Sequence, residues 1–277
     1  MMYQVLDKDI IENEIVPYLP LPKRGFFPKA LLVEIVNSIL YKLKTGVQWE
    51  YLPVKSLFED YVLSYQSVFY HYRKWCVNNV WEDCWIRLLS KNKSKLDLSS
   101  GDLDGSHTSA LRGGEEVSYQ GRKKRKTSTA LYFTDRQGLP LAISDPVAGN
   151  HNDLYPIEMY FDQITQTLKR ADIAIEGLFI NADAGFDAQN FRKHCESKNI
   201  IANIAFNKRN GSDTDNFYFD EILYHQRYAI ERTNVWLDSF RSLLNRFDTT
   251  VSSWKSFNYL AFMVIALKKF YKNEKFK

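Results

Sequence analysis

The sequence predicts an α/β protein built on a mixed sheet and preceded by a small all-helical domain. Three observations lead there. Apolar residues recur at helical spacing through roughly the first 95 positions. Beyond about residue 100, short β-branched and aromatic runs alternate with helical stretches. Between the two lies Lys91–Ser100, polar and basic, which reads as a boundary. The expected domains are therefore 1–95 and 96–277.

In the first part, an amphipathic helix follows Pro28 and stops at Gly46. Trp49–Pro53 reads as a turn, and Ser64–Cys76 and Trp81–Leu89 as further helices. Short helices on short turns fit a helix-turn-helix-like DNA binder. They fit as well an ordinary bundle that dimerises or packs on the next domain, the commoner case for such a pattern. In the second part, Leu103, Thr129–Thr134 and Leu139–Ser144 read as strands. The turn sequence Asp135-Arg136-Gln137-Gly138 makes the last two a hairpin. A helix over 154–169, a strand over Gly177–Asp183, a helix over 188–198 and a strand over 200–206 follow. Two helices, 220–245 and 253–272, close the chain.

The chain has 277 residues, 45% hydrophobic and 25% charged, which excludes a disordered or fibrous protein. Its net charge is +4, a mild surplus. The distribution says more, because Arg122, Lys123, Lys124, Arg125 and Lys126 stand in a row. Such a run is either a contact for nucleic acid or a solvated loop. Cys76, Cys84 and Cys195 are too few and too scattered for a disulfide framework or a CxxC zinc site, as in a reducing cytoplasm. The N-terminal residues lack the basic-then-apolar order of a signal peptide. The run Tyr259–Leu267 is too short to span a bilayer and reads as a buried helix. A cytoplasmic protein without a membrane partner is expected.

Three acids stand out by placement. Asp104 follows a short apolar stretch, and Asp183 ends a strand, where ligands of open α/β sheets collect. Glu231 lies in the predicted 220–245 helix. At about 100° per residue, Ala229, Ile230, Trp236, Leu237, Phe240, Leu243 and Leu244 share one side. Arg227, Glu231, Asn234 and Asp238 share another. Taken singly, the helix pair Arg227–Glu231 reads as a surface ion pair and each Asp as a cap or turn residue. Taken together, three carboxylates from different elements are what a pair of hard divalent cations needs to act on a phosphodiester.

At these residues the chain resembles a known family. Gly46-Val-Gln-Trp-Glu-Tyr-Leu-Pro53 and Tyr70-His-Tyr-Arg-Lys-Trp75 are similar to the helical domain that precedes its catalytic core. Asp104-Gly-Ser-His107 resembles its first-Asp motif, and Gly149-Asn-His-Asn-Asp153 its Gly-x-x-x-Asp turn. Asn181-Ala-Asp-Ala-Gly-Phe-Asp187 resembles its second-Asp motif. Tyr224-x-x-Arg227-x-x-x-Glu231-Arg-Thr-Asn-x-Trp-Leu237, then Arg241 to Asp248, resembles its Glu-bearing signature. The family is the DDE transposases of bacterial insertion sequences, specifically the IS-five-type branch of the IS-four-like superfamily. The resemblance covers nearly the whole chain, and its strength lies in four motifs in order.

The resemblance implies a ribonuclease H-like core with Asp104, Asp183 and Glu231 as catalytic metal ligands. It implies two Mg²⁺ or Mn²⁺ ions, with Asp104 bridging them and Glu231 completing the second site. Double-stranded DNA is the implied partner, both as the element's terminal inverted repeats and as target, bound by a homodimer at the nucleoid. Tyr224 and Arg227 are implied to orient Glu231 or touch the scissile phosphate. His107, His151 and Asp153 are implied supporting or DNA contacts, and the 122–126 run is expected to hold DNA backbone beside the active site. Asp187 reads instead as a helix N-cap. The chain departs from the broader signature at Asp238, where a Lys is usual; Arg232 or Arg241 stands near enough in sequence to substitute. Two other readings keep the same acids: a ribonuclease H-like nuclease without strand transfer, and a DNA-binding remnant that no longer cuts.

Overall fold

The structure, a computed structural model, describes residues 4–21, 28–152, 154–207 and 218–274. It divides into two compact units: residues 1–88 with 237–277, and residues 89–236. The divisions fall inside two helices.

The chain begins with α1 (Lys8–Glu14) and α2 (Leu32–Thr45). Gly46 ends α2 as expected, in the left-handed conformation at φ +68°, where any Cβ would strike Arg241. Next comes α3 (Tyr65–Val77), whose N-cap Ser64 accepts a hydrogen bond from the Ser67 amide, and then α4 (Val80–Lys91).

The second unit holds the sheet. Its strands are β1 (Gly101–Ala110), β2 (Ser118–Gln120), β3 (Arg125–Asp135), β4 (Pro140–Ile143), β5 (Val147–Ala148), β6 (Phe179–Ala182) and β7 (Ile201–Ile204). Helix α5 (Ile157–Arg170) joins β5 to β6, and α6 (Gln189–Ser197) joins β6 to β7. The strands run in the order β2-β3-β1-β6-β7, with β4 and β5 also paired to β3. β3 is antiparallel to β1 and to β4, whereas β6 is parallel to β1 and β7 parallel to β6. A three-stranded antiparallel meander, extended by two parallel strands beside its first member, is the ribonuclease H-like arrangement. The expected hairpin turn is present: Asp135 is fully buried and its Oδ1 accepts from the Gln137 and Leu139 amides at 3.0 and 2.8 Å.

The sheet's two faces differ in chemistry. Side chains alternate along a strand, and registered neighbours point the same way. Leu103, Phe133, Leu131, Ile180 and Ile204 therefore form one apolar face. Asp102, Asp104, Asn181 and Asn203 share the other.

After β7 the single helix predicted over 220–245 is three: α7 (Glu221–His225), α8 (Tyr228–Asp238) and α9 (Arg241–Leu244). The first break falls at Gln226 and Arg227, where the Ala229 and Ile230 amides make only long 3.4 Å backbone bonds. A fresh helix start there leaves amides free to face the sheet, and the Ile230 amide turns toward the buried Asp102. The apolar side expected of this segment survives in part. Ala229, Ile230, Leu237, Phe240 and Leu243 are buried, while Trp236 is half-buried and Leu244 exposed.

The last helix is α10 (Val251–Glu274). It belongs to the first unit, not to the 96–277 domain read from the sequence. The reason is its burial: every residue from Ser256 to Val264 is buried, so α10 is a core helix. Tyr72 and Phe257 stack at 4.5 Å, Trp85 meets Phe262 edge-on at 5.6 Å, and the Tyr72 hydroxyl donates to the Ser253 carbonyl at 2.6 Å. Among the described residues no helix is long and apolar enough to cross a membrane.

Candidate active site

Asp104 and Asp183 come from neighbouring strands. β1 and β6 pair in parallel with Gly101 opposite Ile180 and Asp102 opposite Asn181. Asp104 and Asp183 each lie two positions beyond the Asp102–Asn181 pair, toward the same face. Asp183 keeps an extended backbone, at φ −74° and ψ 173°, so its side chain keeps the strand's alternation. Its Oδ1 accepts from the Gly185 amide at 2.8 Å, and a Cβ on Gly185 would collide with that oxygen. The glycine in Asp183-Ala-Gly185 thus lets the turn wrap tightly round the carboxylate.

The third acid arrives on α8. Asn234 Nδ2 lies 3.5 Å from Asp104 Oδ2, and Glu231 is one helical turn before Asn234. The hairpin turn fixes this helix against the sheet. Thr233 Oγ1 donates to the Gly138 carbonyl at 2.5 Å. Gly138, at φ +79°, approaches so closely that a Cβ would lie 2.7 Å from the Ala229 carbonyl oxygen. Asp104 and Asp183 are half-buried and Glu231 is exposed.

Hard oxygen donors, two of them on adjacent strands, suit a divalent cation of the magnesium type. Among the described residues no three His, Cys, Asp or Glu side chains converge closely enough to hold a metal together. In chemistry alone, carboxylate oxygens are the donors such an ion takes.

The remaining expected residues fall into three groups. Tyr224 lies on α7 and Arg227 in the break before α8, with the guanidinium 5.7 Å over the Tyr224 ring. Arg227 is outside α8, and among the described residues it forms no ion pair with Glu231. His107 is three positions from Asp104 on a regular strand, so it points to the opposite face. There its Nδ1 meets Thr127 Oγ1 at 3.4 Å. Burial, then the charges of Lys123 and Arg122, hold its imidazole below the usual range. His151 stacks on Tyr155 at 3.8 Å beyond β5, which pairs with the Ser128–Thr129 stretch of β3. Both histidines thus sit toward the basic run, away from the acids. Asp153 lies outside the described residues. Asp187 is not the N-cap of α6, a place taken by Ala188; it accepts instead from Arg192 Nε at 2.9 Å and the Asn207 amide at 2.8 Å.

The run 122–126 is not in one loop. Arg122, Lys123 and Lys124 form the turn between β2 and β3, while Arg125 and Lys126 begin β3, and all five are exposed. Tyr132 pairs with Asp104, and Lys126 is six residues further back along β3. At about 3.4 Å per residue the run starts about 20 Å from Asp104. The expectation that it borders the acids fails, because β1 and β3 continue far past them. Asp238 is exposed at the end of α8.

The sequence reading missed Asp102, Asn181, Asn203 and Asn234. The first three left a signal: Asn181 and Asn203 are polar residues inside otherwise apolar strands, and Asp102 and Asn181 each lie two positions before a candidate acid.

Two family models match the chain. Residues 13–85 match transposases of the IS4/5 family. Residues 96–267 match the transposase DDE domain. No curated protein matches. Among solved structures, a pre-cleavage Mos1 transpososome is 13% identical, with TM-score 0.32, over 90% of this chain and 81% of that one. A piggyBac transposase synaptic complex with hairpin DNA is 12% identical, with TM-score 0.49, over 97% of this chain and 74% of that one. With the catalytic-domain model spanning more than half of its length, the chain belongs to the DDE transposases, enzymes that cleave DNA strands and join them to new sites.

Proposed function

We propose that Asp104, Asp183 and Glu231 are the catalytic acids with which this transposase cuts DNA at the ends of its element and transfers the freed ends into target DNA. The observation that supports this reading is the parallel pairing of β1 and β6 at Asp102 and Asn181, two positions before Asp104 and Asp183, together with the approach of Asn234 on α8 to Asp104 at 3.5 Å. DDE transposases use divalent metal ions. Here the three acids would hold two ions, Mg²⁺ or Mn²⁺, which supply Lewis-acid stabilisation of an in-line phosphodiester displacement. Asn234 orients Asp104, and the Gly185 amide fixes one oxygen of Asp183 so that the other faces the site. Arg227 brings positive charge to the same face for the scissile phosphate. Two ends must be held at once, so the working form is a homodimer on the element's terminal repeats. The helical part matching IS4/5-family transposases serves in end binding.

The test uses supercoiled DNA carrying the element ends. Asp104→Asn, Asp183→Asn and Glu231→Gln should each abolish Mg²⁺-dependent nicking, with gel-shift affinity for the ends close to wild type. Full nicking by any one variant removes that residue from the site. Pre-nicked ends then ask for strand transfer, and its absence in wild type leaves a nuclease only.

A further inference from the structure

A line of buried polar side chains crosses the sheet just behind the acids. Asp102 Oδ1 accepts from Asn181 Nδ2 at 3.0 Å. Asn181 Oδ1 accepts from Asn203 Nδ2 at 2.8 Å. Asn203 also donates to the Asp220 carbonyl at 3.0 Å and accepts from the Asp220 amide at 2.7 Å. Asp220 in turn caps α7, its Oδ1 accepting from the Leu223 amide at 2.9 Å. Asp102, Asn181 and Asn203 are 1%, 0% and 0% exposed.

Burying three polar side chains side by side costs desolvation that apolar residues of like size avoid. The ladder reaches past the strands at both ends. What it joins is outside the sheet. At one end it grips the chain as it enters α7. At the other, Asp102 faces Arg227 and the Ile230 amide, in the break and first turn of α8. Its Oδ2 has no partner at hydrogen-bond geometry, so this end is held by charge rather than by a short bond. Glu231 is the next residue after Ile230. Asp104 and Asp183 each lie two positions beyond a rung, on the same face.

We infer that Asp102, Asn181 and Asn203 are positioning residues, a buried ladder that seats α7 and the first turn of α8 and so sets Glu231 against Asp104 and Asp183. This rests on the assignment of those three acids. It adds that Glu231 is placed from two ends, through Asp220 and through Ile230.

The experiment combines hydrogen exchange with cleavage on the full-length protein. In Asn203→Ala, amides of residues 220–231 should exchange about tenfold faster, with β1 and β3 unchanged. Nicking should fall about tenfold or more while end binding holds. Unchanged exchange at 220–231, or exchange that rises evenly over the sheet, overturns the inference. A second arm covers a variant that does not fold. Asn181→Asp alone sets two carboxylates about 3 Å apart and should lose protection and nicking together. Combining it with Asp102→Asn reverses donor and acceptor at that rung and keeps each hydrogen bond, so protection of 220–225, at the Asn203 end, should recover, whereas the first turn of α8, which then lacks the charge at position 102, should not. No recovery at 220–225 in the pair also overturns it. Should wild-type protein fail to nick DNA, the acid assignment falls, and the exchange arm still judges the ladder.

Discussion

Gly138 and Thr233 hold the helix that carries Glu231, and both act through a single atom or its absence. Gly138 sits at φ +79° with the Ala229 carbonyl where a Cβ would go. Gly138→Ala combines left-handed strain with a clash and should destabilise the protein by roughly 1–3 kcal/mol. Thr233→Val keeps the shape but deletes the bond to the Gly138 carbonyl, leaving a buried acceptor unpaired, for roughly 1–2 kcal/mol. Urea unfolding of both variants checks this, and a midpoint at the wild-type value in either case would show that the turn does not anchor α8. At this scale the sequence was half legible. The turn residues Asp135 to Gly138 announced a hairpin, because turn chemistry is local. That the same glycine also clears space for a helix ninety residues later could not be read, since it depends on packing. The three acids stand out in the sequence by motif order, whereas Asn234 is visible only as a neighbour on a helical wheel.

Elements were legible where one period ran unbroken. The helices over 32–45 and 65–77 follow their apolar spacing and caps, and Gly46 stops the first of them. The helix after β7 was not, because its breaks answer to the sheet: the chain restarts at Tyr228 beside Asp102. β1 was also understated. Asp104 to Thr108 are polar, so the pattern shows little of a strand that runs from Gly101 to Ala110. That length has a functional consequence, because it carries the β2–β3 hairpin and its five cations away from the acids. We propose that the hairpin serves DNA backbone rather than the chemistry. Replacing Arg122, Lys123, Lys124, Arg125 and Lys126 with glutamine should lower the slope of log affinity against log salt, by about 0.9 for each phosphate that is no longer neutralised. At saturating DNA the nicking rate should stay near wild type. An unchanged salt slope removes the run from the interface, and a collapsed rate at saturation places it in the catalytic machinery after all.

At the scale of the whole molecule, the boundary near residue 95 marks a real change of architecture but not a pair of independent folding units. Residues 237–277 return to the helices of 1–88. Local sequence cannot reveal such a return, because an apolar helix carries no address for the surface it covers. The aromatic side chains supply it. Phe257 lies against Tyr72 and within 6.5 Å of Trp49, Phe262 meets Trp85, and the Tyr271 hydroxyl donates to Glu14 at 2.7 Å. Burying a large apolar side chain contributes about 1.5–3 kcal/mol, so losing several at once exceeds the roughly 5–15 kcal/mol stability of an ordinary domain. A fragment 1–95 should therefore be unfolded or aggregated, with little near-ultraviolet circular dichroism despite its tryptophans. The full chain truncated after Thr250 should lose amide protection in 32–45 and 65–77 while β1 and β3 keep theirs. Native-like protection of those two helices in the truncated chain would mean that α10 covers a core already complete without it.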